Sequence, residues 1–390
     1  MFEFDLSNVN NFLYKKQHLS KDAKIQNIVQ ATKDIWGLHA TIASTPYISL
    51  FNRVNNFTKQ ALDREILEKR LIKTRSIRKT VYIIPKENVP IAFSATKESI
   101  KNISEKYYKN MGINQNEYEA TSNLILDLLG KKGMSANEIR IELKTEINLS
   151  PIINYMCDLG ILVRGLSKAG WKSNSHTYFR MDEYLPDVIL NEYDQDESRK
   201  KLVFQYLSSF GPSTINDISW WAAFPKTEVN KILDDLGSNV EYVNISGYGE
   251  HIVSAQDVNI LNNIKENNTQ QINLLPALDP YIMGYKGRDR YLDKEYYSFV
   301  FDRSGSASTS IMSNEKIVGV WDFEERPNPV VKFFTFEDSK DIVKEVETKA
   351  KEIGNFIYDG NVTIKRCHDM VPLDKRTTGS FMSPLKDMNS

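Results

Sequence analysis

The spacing of apolar residues in the first 110 residues predicts two helices followed by a β-hairpin. The segments IQNIVQATKDIWGL and LDREILEKRL repeat apolar residues at helical intervals, so each has one side suited to a core. The next segment, LIKTRSIRKTVYII, has two β-rich pieces around a short polar turn, which is typical of a hairpin. The residues expected on the apolar helix faces are Ile25, Ile28, Val29, Ile35, Trp36, Leu62, Ile66, Leu67 and Leu71.

A similar order of elements recurs twice further along the chain. The stretches LLGKKGMSANEI (128–139) and YLSSFGPSTINDI (206–218) both combine the end of an apolar helix, a Gly turn, a Ser or Thr cap and an acidic helix start. Two later helices, each closed by a Gly, repeat at a similar interval as NYMCDLG (154–160) and KILDDLG (231–237). After that Gly, both copies change to a β-type pattern.

Helix, turn, helix, helix and hairpin is the order of elements in a winged helix. The sequence therefore predicts three tandem winged helices, at 1–115, 116–192 and 193–271. From residue 272 the pattern changes to short runs rich in β-branched and aromatic residues, separated by turn residues. These runs are INLLPALDPYIMGY, KEYYSFVFD, ASTSIMS, EKIVGVWDF, NPVVKFFTF and NVTIKRCHDM.

An amphipathic helix, DSKDIVKEVETKAKEIGNF, interrupts these C-terminal runs before the last of them. We expect residues 272–390 to form a small β-barrel or curled antiparallel sheet covered by this helix. The predicted fold class is α+β, with three winged helices followed by the barrel.

Composition supports an ordered protein of several domains. The chain has 390 residues, of which 41% are hydrophobic, enough for two to four separate cores and too many for a disordered chain. An acidic N-terminus and the absence of a long apolar run favour a cytoplasmic protein without a membrane segment. Cys157 and Cys367 lie far apart and are expected to be reduced.

Positive charge is concentrated in two regions, although 50 Lys and Arg nearly balance 51 Asp and Glu. Residues 69–79 carry six cations and no acid, and residues 131–180 carry eight cations against four acids. Because both regions coincide with predicted wings or helix starts, we expect them to lie along DNA phosphates; a solvated charged face is the alternative. The predicted contacts in these regions are Arg75, Arg78, Lys79, Lys131, Lys132, Lys168, Lys172, His176 and Arg180.

Other chemistries have little support in the sequence. The five His residues never occur at spacings of three or four, so the sequence contains no zinc-binding pattern of this kind. No nucleotide-binding or serine-hydrolase motif is present either. We therefore expect neither a metal nor a cofactor. Trp220 and Trp221 are interpreted as core residues, with stacking on an unpaired base as the alternative role for an exposed ring.

Several segments resemble the YcaQ/AlkZ-like family of winged-helix DNA glycosylases. FGPSTINDISWWAAF (210–224) is similar to the family's Gly-Pro-Ala-Thr...Asp...Trp-Trp signature, and LLPALDPYIMGYKGRDR is similar to the segment that opens its C-terminal barrel. GLHATIASTPYISLFNRV and SIRKTVYII extend the resemblance over nearly the whole chain, in order. The resemblance implies a clamp around duplex DNA that removes alkylated purines, notably N7-alkylguanine adducts and interstrand crosslinks.

The family's catalytic motif is Gln-x-Gln or Gln-x-Asp directly after a Leu. The matching stretch here is Leu38-His39-Ala40-Thr41, so His39 and Thr41 stand at the two catalytic positions. An N7-alkylated guanine is already cationic and can leave without a strong acid, which leaves activation of a water as the main task. A neutral imidazole with a pKa near roughly 6.5 could accept a proton from that water, and Thr41 could orient it. The alternative is a helix cap or packed polar group.

Four further residues are expected to support this site. Tyr47 is expected to brace the His39 loop by packing, and Arg53 by contacting either a phosphate or a helix end. Asp279 and Arg288 stand at the barrel opening in the family's pattern, where they either support the pocket or form a structural ion pair. Two functions remain open: a monomeric, monofunctional DNA glycosylase, or a non-catalytic winged-helix DNA-binding protein.

Overall fold

The computed structural model describes residues 2–130, 132–264, 271–325 and 327–375, with Asp374 described by its backbone only. The helices are α1 (Leu6–Lys16), α2 (Ile28–Asp34), α3 (Thr45–Arg53), α4 (Lys59–Leu67), α5 (Val89–Asn110), α6 (Gln115–Leu129), α7 (Ala136–Glu142), α8 (Ser150–Asp158), α9 (Met181–Tyr184), α10 (Gln195–Phe210), α11 (Ile215–Ala222), α12 (Lys226–Leu236), α13 (Ala255–Asn263), α14 (Tyr297–Val300) and α15 (Lys340–Tyr358). The strands are β1 (Phe2–Phe4), β2 (Leu38–His39), β3 (Leu71–Arg75), β4 (Val81–Pro85), β5 (Met134–Ser135), β6 (Leu162–Arg164), β7 (Thr177–Arg180), β8 (Val240–Ile245), β9 (Gly249–Ser254), β10 (Ile272–Leu275), β11 (Ser310–Ser313), β12 (Lys316–Glu324), β13 (Val330–Thr335) and β14 (Thr363–Arg366).

The three expected hairpins are present as antiparallel pairs. They are formed by β3 with β4, β6 with β7, and β8 with β9. The repeated cap is also real, since Ser135 and Thr214 each accept a hydrogen bond from the third residue of the following helix. Glu138 and Asp217 complete two capping boxes by accepting hydrogen bonds from the cap residue's own backbone. The acidic helix starts of the two repeats therefore have the same structural cause.

The first two hairpins join, together with the short strands β2 and β5, into one sheet of six strands, in the order β2-β4-β3-β6-β7-β5. The two halves meet where Lys73 of β3 pairs with Arg164 of β6. Directly opposed residues project from the same face of a sheet. His39, Tyr82 and Thr74 therefore share one face. The row on the opposite face consists of Leu38, Ile83, Lys73, Arg164, Tyr178 and Met134.

The third hairpin belongs to a separate sheet that includes the start of the chain. Strand β1 lies parallel to β8, and the sheet order is β1-β8-β9. Helices α10 to α13 pack on this sheet around a core that contains the fully buried Tyr206 and Phe210. Trp221 of α11 is 3% exposed and packs on both rings, as the sequence predicted.

The described C-terminal residues form an open sheet, so the predicted closed barrel is wrong for this part of the chain. Its order is β10-β11-β12-β13-β14, and the two end strands do not pair with each other. Helix α15 connects β13 to β14, which makes that pair parallel, as a helical crossover requires. Val346, Ala350 and Ile353 of α15 fill the inner face instead of further strands. The helix itself was correctly predicted, whereas KEYYSFVFD forms the short helix α14 in place of a strand.

The two motifs that most resemble the known family contact each other. Asp217 accepts hydrogen bonds from the backbone amides of Lys286 (2.8 Å) and Gly287 (2.9 Å) in addition to capping its own helix. The Tyr285 hydroxyl donates to the Phe210 carbonyl over 2.9 Å. These bonds dock the C-terminal segment on the third helical unit. No helix in the described residues is long and apolar enough to cross a membrane.

Candidate functional site

His39 lies at the end of the edge strand β2, against Tyr82 of β4. The two rings are 5.0 Å apart, and His39 is 5% exposed. Neither nitrogen of the imidazole has a hydrogen-bond partner among the described residues, and Nδ1 is fully covered. A buried polar atom without a partner is uncommon. Since Nδ1 is covered, Nε2 is the nitrogen that a water or a substrate can reach.

Burial, followed by the positive charge of Arg78, lowers the pKa of His39 to about 3. The expected pKa near 6.5 is therefore wrong. At neutral pH the ring is uncharged and can accept a hydrogen bond, but it is a weak base. Such a ring can position a water by accepting a hydrogen bond from it, but it removes the water's proton only weakly.

Thr41 follows β2 and is exposed, and its hydroxyl has no partner among the described residues. The loop that carries it is held on two sides. The Ala43 amide donates to the side chain of Asn174 over 2.8 Å, and the Thr45 hydroxyl donates to the Ala277 carbonyl over 2.8 Å. The loop after β2 is therefore fixed by the second hairpin and by the C-terminal segment.

Tyr47 lies in α3 and is 5% exposed. Its ring packs against Trp171 at 5.3 Å, and its hydroxyl donates to Asp63 over 2.6 Å. Tyr47 therefore packs within the protein, but against Trp171, and its role in bracing the His39 loop stays a prediction. Desolvation and the Asp63 carboxylate both raise its pKa well above the ordinary range, so Tyr47 is a neutral donor and not a proton-transfer group.

Two guanidinium groups lie over the ring of Trp220. The guanidinium of Arg78 is 4.1 Å from the ring centroid and that of Arg288 is 5.4 Å from it. Arg78 has a left-handed backbone with φ of 53°, which is uncommon for a residue with a side chain. Neither Arg forms an ion pair with a carboxylate in the described part of the chain. We refer to Arg78, Trp220 and Arg288 as the Trp220 cluster.

Arg288 is held rigidly within this cluster. Its guanidinium donates to the Tyr297 hydroxyl (2.8 Å) and to the Gly305 carbonyl (2.7 Å), and it stacks on Phe301 at 3.5 Å. Trp220 is half-buried and packs against the edge of the core, whereas the sequence interpretation placed it within the core. The position of Trp220 directly before Trp221 could have indicated this difference in burial. Neighbouring residues of an α-helix point about 100° apart, so the two side chains cannot both face the core.

Arg53 and Asp279 form an ion pair inside the protein. Both side chains are completely buried, and the two Arg53 nitrogens approach the Asp279 carboxylate at 2.7 and 2.8 Å. Arg53 also donates to the Ser49 carbonyl of its own helix. This burial is incompatible with the phosphate contact suggested for Arg53. It also corrects the pairing at the C-terminal segment, since Asp279 pairs with Arg53 and not with Arg288.

Four of the other predicted DNA-binding cations form ion pairs within the protein. Arg75 pairs with the fully buried carboxylate of Asp158, a position that does not suit phosphate contact. Lys168, Lys172 and Arg180 pair near the surface, where a phosphate could replace the carboxylate. The pairs are Arg75 with Asp158 (2.5 Å), Lys168 with Glu138 (2.6 Å), Arg180 with Asp182 (2.7 Å) and Lys172 with Glu325.

The remaining predicted cations differ in environment. Lys132 is exposed, and the amine of Lys79 lies 5.4 Å from the ring of Tyr107; neither pairs with a described carboxylate. His176 is half-buried beside Tyr178, and burial, followed by the charge of Lys73, lowers its pKa to about 3. It is therefore a neutral, largely covered ring and not a cationic wing tip. Lys131 lies outside the described residues.

The structure thus brings the guanidinium groups of Arg78 and Arg288 over Trp220 and places the charge of Arg78 close enough to act on His39. Comparison with known proteins identifies the class. The chain belongs to the AlkZ-like family of DNA glycosylases, whose family model matches residues 32–356.

Two further comparisons agree with this family. A curated relative, the interstrand DNA cross-link repair glycosylase of Streptomyces sahachiroi, is 18% identical over 333 residues, which cover 81% of this chain and 87% of that protein. The solved structure of the S. sahachiroi DNA glycosylase AlkZ matches with a TM-score of 0.77 and 17% identity, covering 94% of this chain and all of that one. The second match shows a similar α+β fold.

Proposed function

We propose that this protein hydrolyses the N-glycosidic bond of N-alkylated purines in duplex DNA, with N7-alkylguanine as the substrate type. The observation that carries the proposal is the imidazole of His39, whose Nε2 has no partner among the described residues, near the guanidinium of Arg78, which pairs with no described carboxylate, in a chain of the AlkZ-like family. The curated relative's name adds interstrand crosslinks as a second substrate to test.

The proposed reaction needs no strong acid from the protein. Alkylation at N7 places a positive charge on the base, so the glycosidic bond breaks with the base leaving as a neutral molecule. A water then attacks the anomeric carbon of the cation-like sugar. His39 accepts a hydrogen bond from this water, and the Thr41 hydroxyl supplies a second contact that orients it. Because the nucleophile is water, the DNA strand stays intact, and we propose a monofunctional enzyme.

The low pKa of His39 defines its role more narrowly than the sequence did. A ring with a pKa of about 3 is a weak base, so it draws the proton from the water only after the sugar has gained most of its positive charge. We therefore assign His39 to orienting the water along the direction of attack. Tyr47 and the hydrogen bonds at Ala43 and Thr45 hold the loop that presents it.

DNA contacts are proposed for cations that remain accessible. Arg78 and Lys79 of the first hairpin turn, with Lys132, have no carboxylate partner among the described residues. Lys168, Lys172 and Arg180 would exchange their surface carboxylates for phosphates at little cost, because exposed pairs contribute only about 0 to 1 kcal/mol. Arg288 supports Arg78 through the Trp220 cluster.

The domain organisation is part of the proposal. Each hairpin follows a set of helices, which supports winged helices within 1–115, 116–192 and 193–271, with residues 272–390 as the C-terminal unit. A damaged base is a single target, so the protein needs no paired half-sites, and we propose a monomer acting on cytoplasmic DNA without a cofactor.

The proposal is tested with duplex DNA that carries N7-methylguanine, using alkali to cut the strand wherever a base has been released. His39→Ala should lower the release rate by about 10²- to 10⁴-fold while the Kd for duplex changes less than about twofold. Lys349→Ala is the matched control, since Lys349 is an exposed cation that pairs with Glu352 on α15, and its loss should change neither the release rate nor the Kd for duplex. Equal rates for wild type and His39→Ala contradict the role of His39. Tight binding without release by the wild type supports the non-catalytic alternative.

A further inference from the structure

A small cavity lies on the side of the six-stranded sheet opposite His39. Its volume is about 60 Å³, and it is enclosed by α3, α4 and the loop that follows β6. The polar and aromatic groups around it are Lys73, Tyr47, Asp63, Trp171, Ser167 and Ser173. A space of this size holds a few water-sized atoms, and a polar lining favours a polar occupant.

Lys73 is the unusual member of this lining. It is 8% exposed, and its amine has neither a hydrogen bond nor an ion pair among the described residues. Buried lysines are almost always paired, because an isolated ammonium is costly to remove from water. Burial, followed by the charge of Arg164, lowers the pKa of Lys73 to about 8, so the amine still carries a proton in most molecules at pH 7.

Other cations surround Lys73. Arg164 lies directly opposite it on β6, is 2% exposed and donates to Asn154 over 2.8 Å. Arg75 lies two residues further along β3 and therefore on the same face. Arg75 pairs with the buried Asp158, whereas Lys73 has no such partner.

The carboxylate in the cavity does not balance this charge. Asp63 lines the cavity, where one of its oxygens accepts the Tyr47 hydroxyl hydrogen bond. Lys73, Arg75 and Arg164 together carry three positive charges, and Asp63 and Asp158 carry two negative charges. One positive charge remains uncompensated in a largely buried space, and the neutral imidazole of His176 adds none.

The loop beside the cavity supplies further donors. The segment GLSKAGWKSNSH (165–176) carries three serines, and their hydroxyls form a chain in which Ser167 and Ser173 both contact Ser175, at 2.6 and 2.9 Å. Ser167 and Ser173 also accept hydrogen bonds from the backbone amides of Ala169 (3.1 Å) and Ser175 (3.3 Å). Each hydroxyl still keeps a rotatable hydrogen that can turn to donate to an oxyanion at little cost.

We propose that this cavity binds a phosphate oxyanion through the Lys73 amine and the hydroxyls of Ser167 and Ser173. The occupant is either a phosphate of the DNA backbone or a free phosphate. A flipped base does not fit, because the cavity is too small and the rings of Tyr47 and Trp171 contact each other at 5.3 Å without leaving a slot between them. The site is separate from base release, since Lys73 and His39 lie on opposite faces of the sheet.

The first test measures the thermal unfolding midpoint with inorganic phosphate against chloride at equal ionic strength. A ligand that binds only the folded state raises this midpoint. We expect phosphate to stabilise the wild type and to have no effect on Lys73→Met. Without phosphate, Lys73→Met should be at least as stable as the wild type, because the substitution removes an unpaired buried charge. Lys349→Met is the control, since Lys349 is exposed and pairs with Glu352 on α15.

The second test identifies the source of the phosphate by titrating undamaged duplex at several salt concentrations. Each lost phosphate contact lowers the slope of log K against log salt by roughly 0.9. A smaller slope for Lys73→Met, with Lys349→Met unchanged, assigns a DNA phosphate. A phosphate effect on stability without a slope change assigns a free phosphate.

The proposal is overturned if Lys73→Met keeps both the phosphate-induced stabilisation and the wild-type slope. Should Lys73→Met fail to fold, Ser167→Ala replaces it, because Ser167 lies in the surface loop and its loss should reduce the same two effects. Neither experiment uses a damaged base, so the outcome does not depend on the proposed glycosylase activity.

Discussion

Replacing Arg53 by Met should destabilise the protein strongly. In the folded state Asp279 accepts two hydrogen bonds from Arg53, one from the Ser49 hydroxyl at 3.1 Å and one from the Tyr281 amide at 3.0 Å. Arg53→Met removes the positive charge that balances Asp279 and leaves the Asp279 carboxylate, which is 0% exposed, without a counter-ion. Breaking a buried ion pair in this way costs about 3 to 5 kcal/mol.

The effect can be measured by urea denaturation followed by circular dichroism. A loss of that size corresponds to a fall in the melting midpoint of roughly 4 to 6 °C for a chain of this length, if it unfolds as one unit. Asp279→Leu combined with Arg53→Met should recover much of the loss, because the double variant has no buried charge left. Arg180→Met, which breaks a surface pair, should cost no more than about 1 kcal/mol.

The reasoning is refuted if Arg53→Met costs no more than Arg180→Met. It is also refuted if Arg53→Met keeps full stability and loses duplex binding, since that result would indicate that Arg53 contacts DNA. Because Arg53 and Asp279 are 226 residues apart and belong to the first and last parts of the chain, the experiment also reports whether these parts unfold together.

Three further predictions concern His39 and the packing of the C-terminal segment. The rate of base release should be flat from pH 5 to 8, because His39 with a pKa of about 3 stays neutral; a midpoint near 6.5 in the pH–rate profile contradicts this. The same pKa shift makes the unfolded chain bind more protons below roughly pH 6.5, so His39 should reduce the unfolding free energy at pH 5 by about 2 kcal/mol, a loss that His39→Gln removes. Gly284→Ala should destabilise the protein by about 1 to 3 kcal/mol in urea, since its new Cβ would lie 2.6 Å from the Phe210 ring, and a neutral effect would show that this ring can move.

The repeats and most elements were predictable because they depend on local patterns. Helical spacing, Gly at helix ends and the Ser and Thr caps act within a few residues, and Ser135 and Thr214 form the same capping box at equivalent positions. The closed barrel failed for a reason that local pattern does not contain. Whether a run of strands closes depends on the path of the connections, and α15 makes the last pair parallel.

The candidate site was predictable only in part. His39, Thr41 and Tyr47 came from similarity to a family motif, whereas burial decides what these groups do. Arg53 shows the difficulty. The sequence around an Arg in an apolar helix is the same whether its side chain contacts a phosphate or, as here, a buried carboxylate 226 residues away. Lys73 was hidden within a cationic run, and its isolation arises from the pairing of β3 with β6, which no local pattern encodes.

The parallel pairing of β1 with β8 has a consequence for how the protein is made. Phe2 to Phe4 are synthesised about 240 residues before their partners, Val243 to Ile245. At roughly 5 to 20 residues per second, that interval lasts on the order of 12 to 50 seconds. During it the apolar N-terminal segment has no strand to join, and the side chain of Phe4, 6% exposed at the end, remains in contact with water or chaperones. The third sheet can therefore be completed only after β8 and β9 have been made, although it includes a strand synthesised about 240 residues earlier.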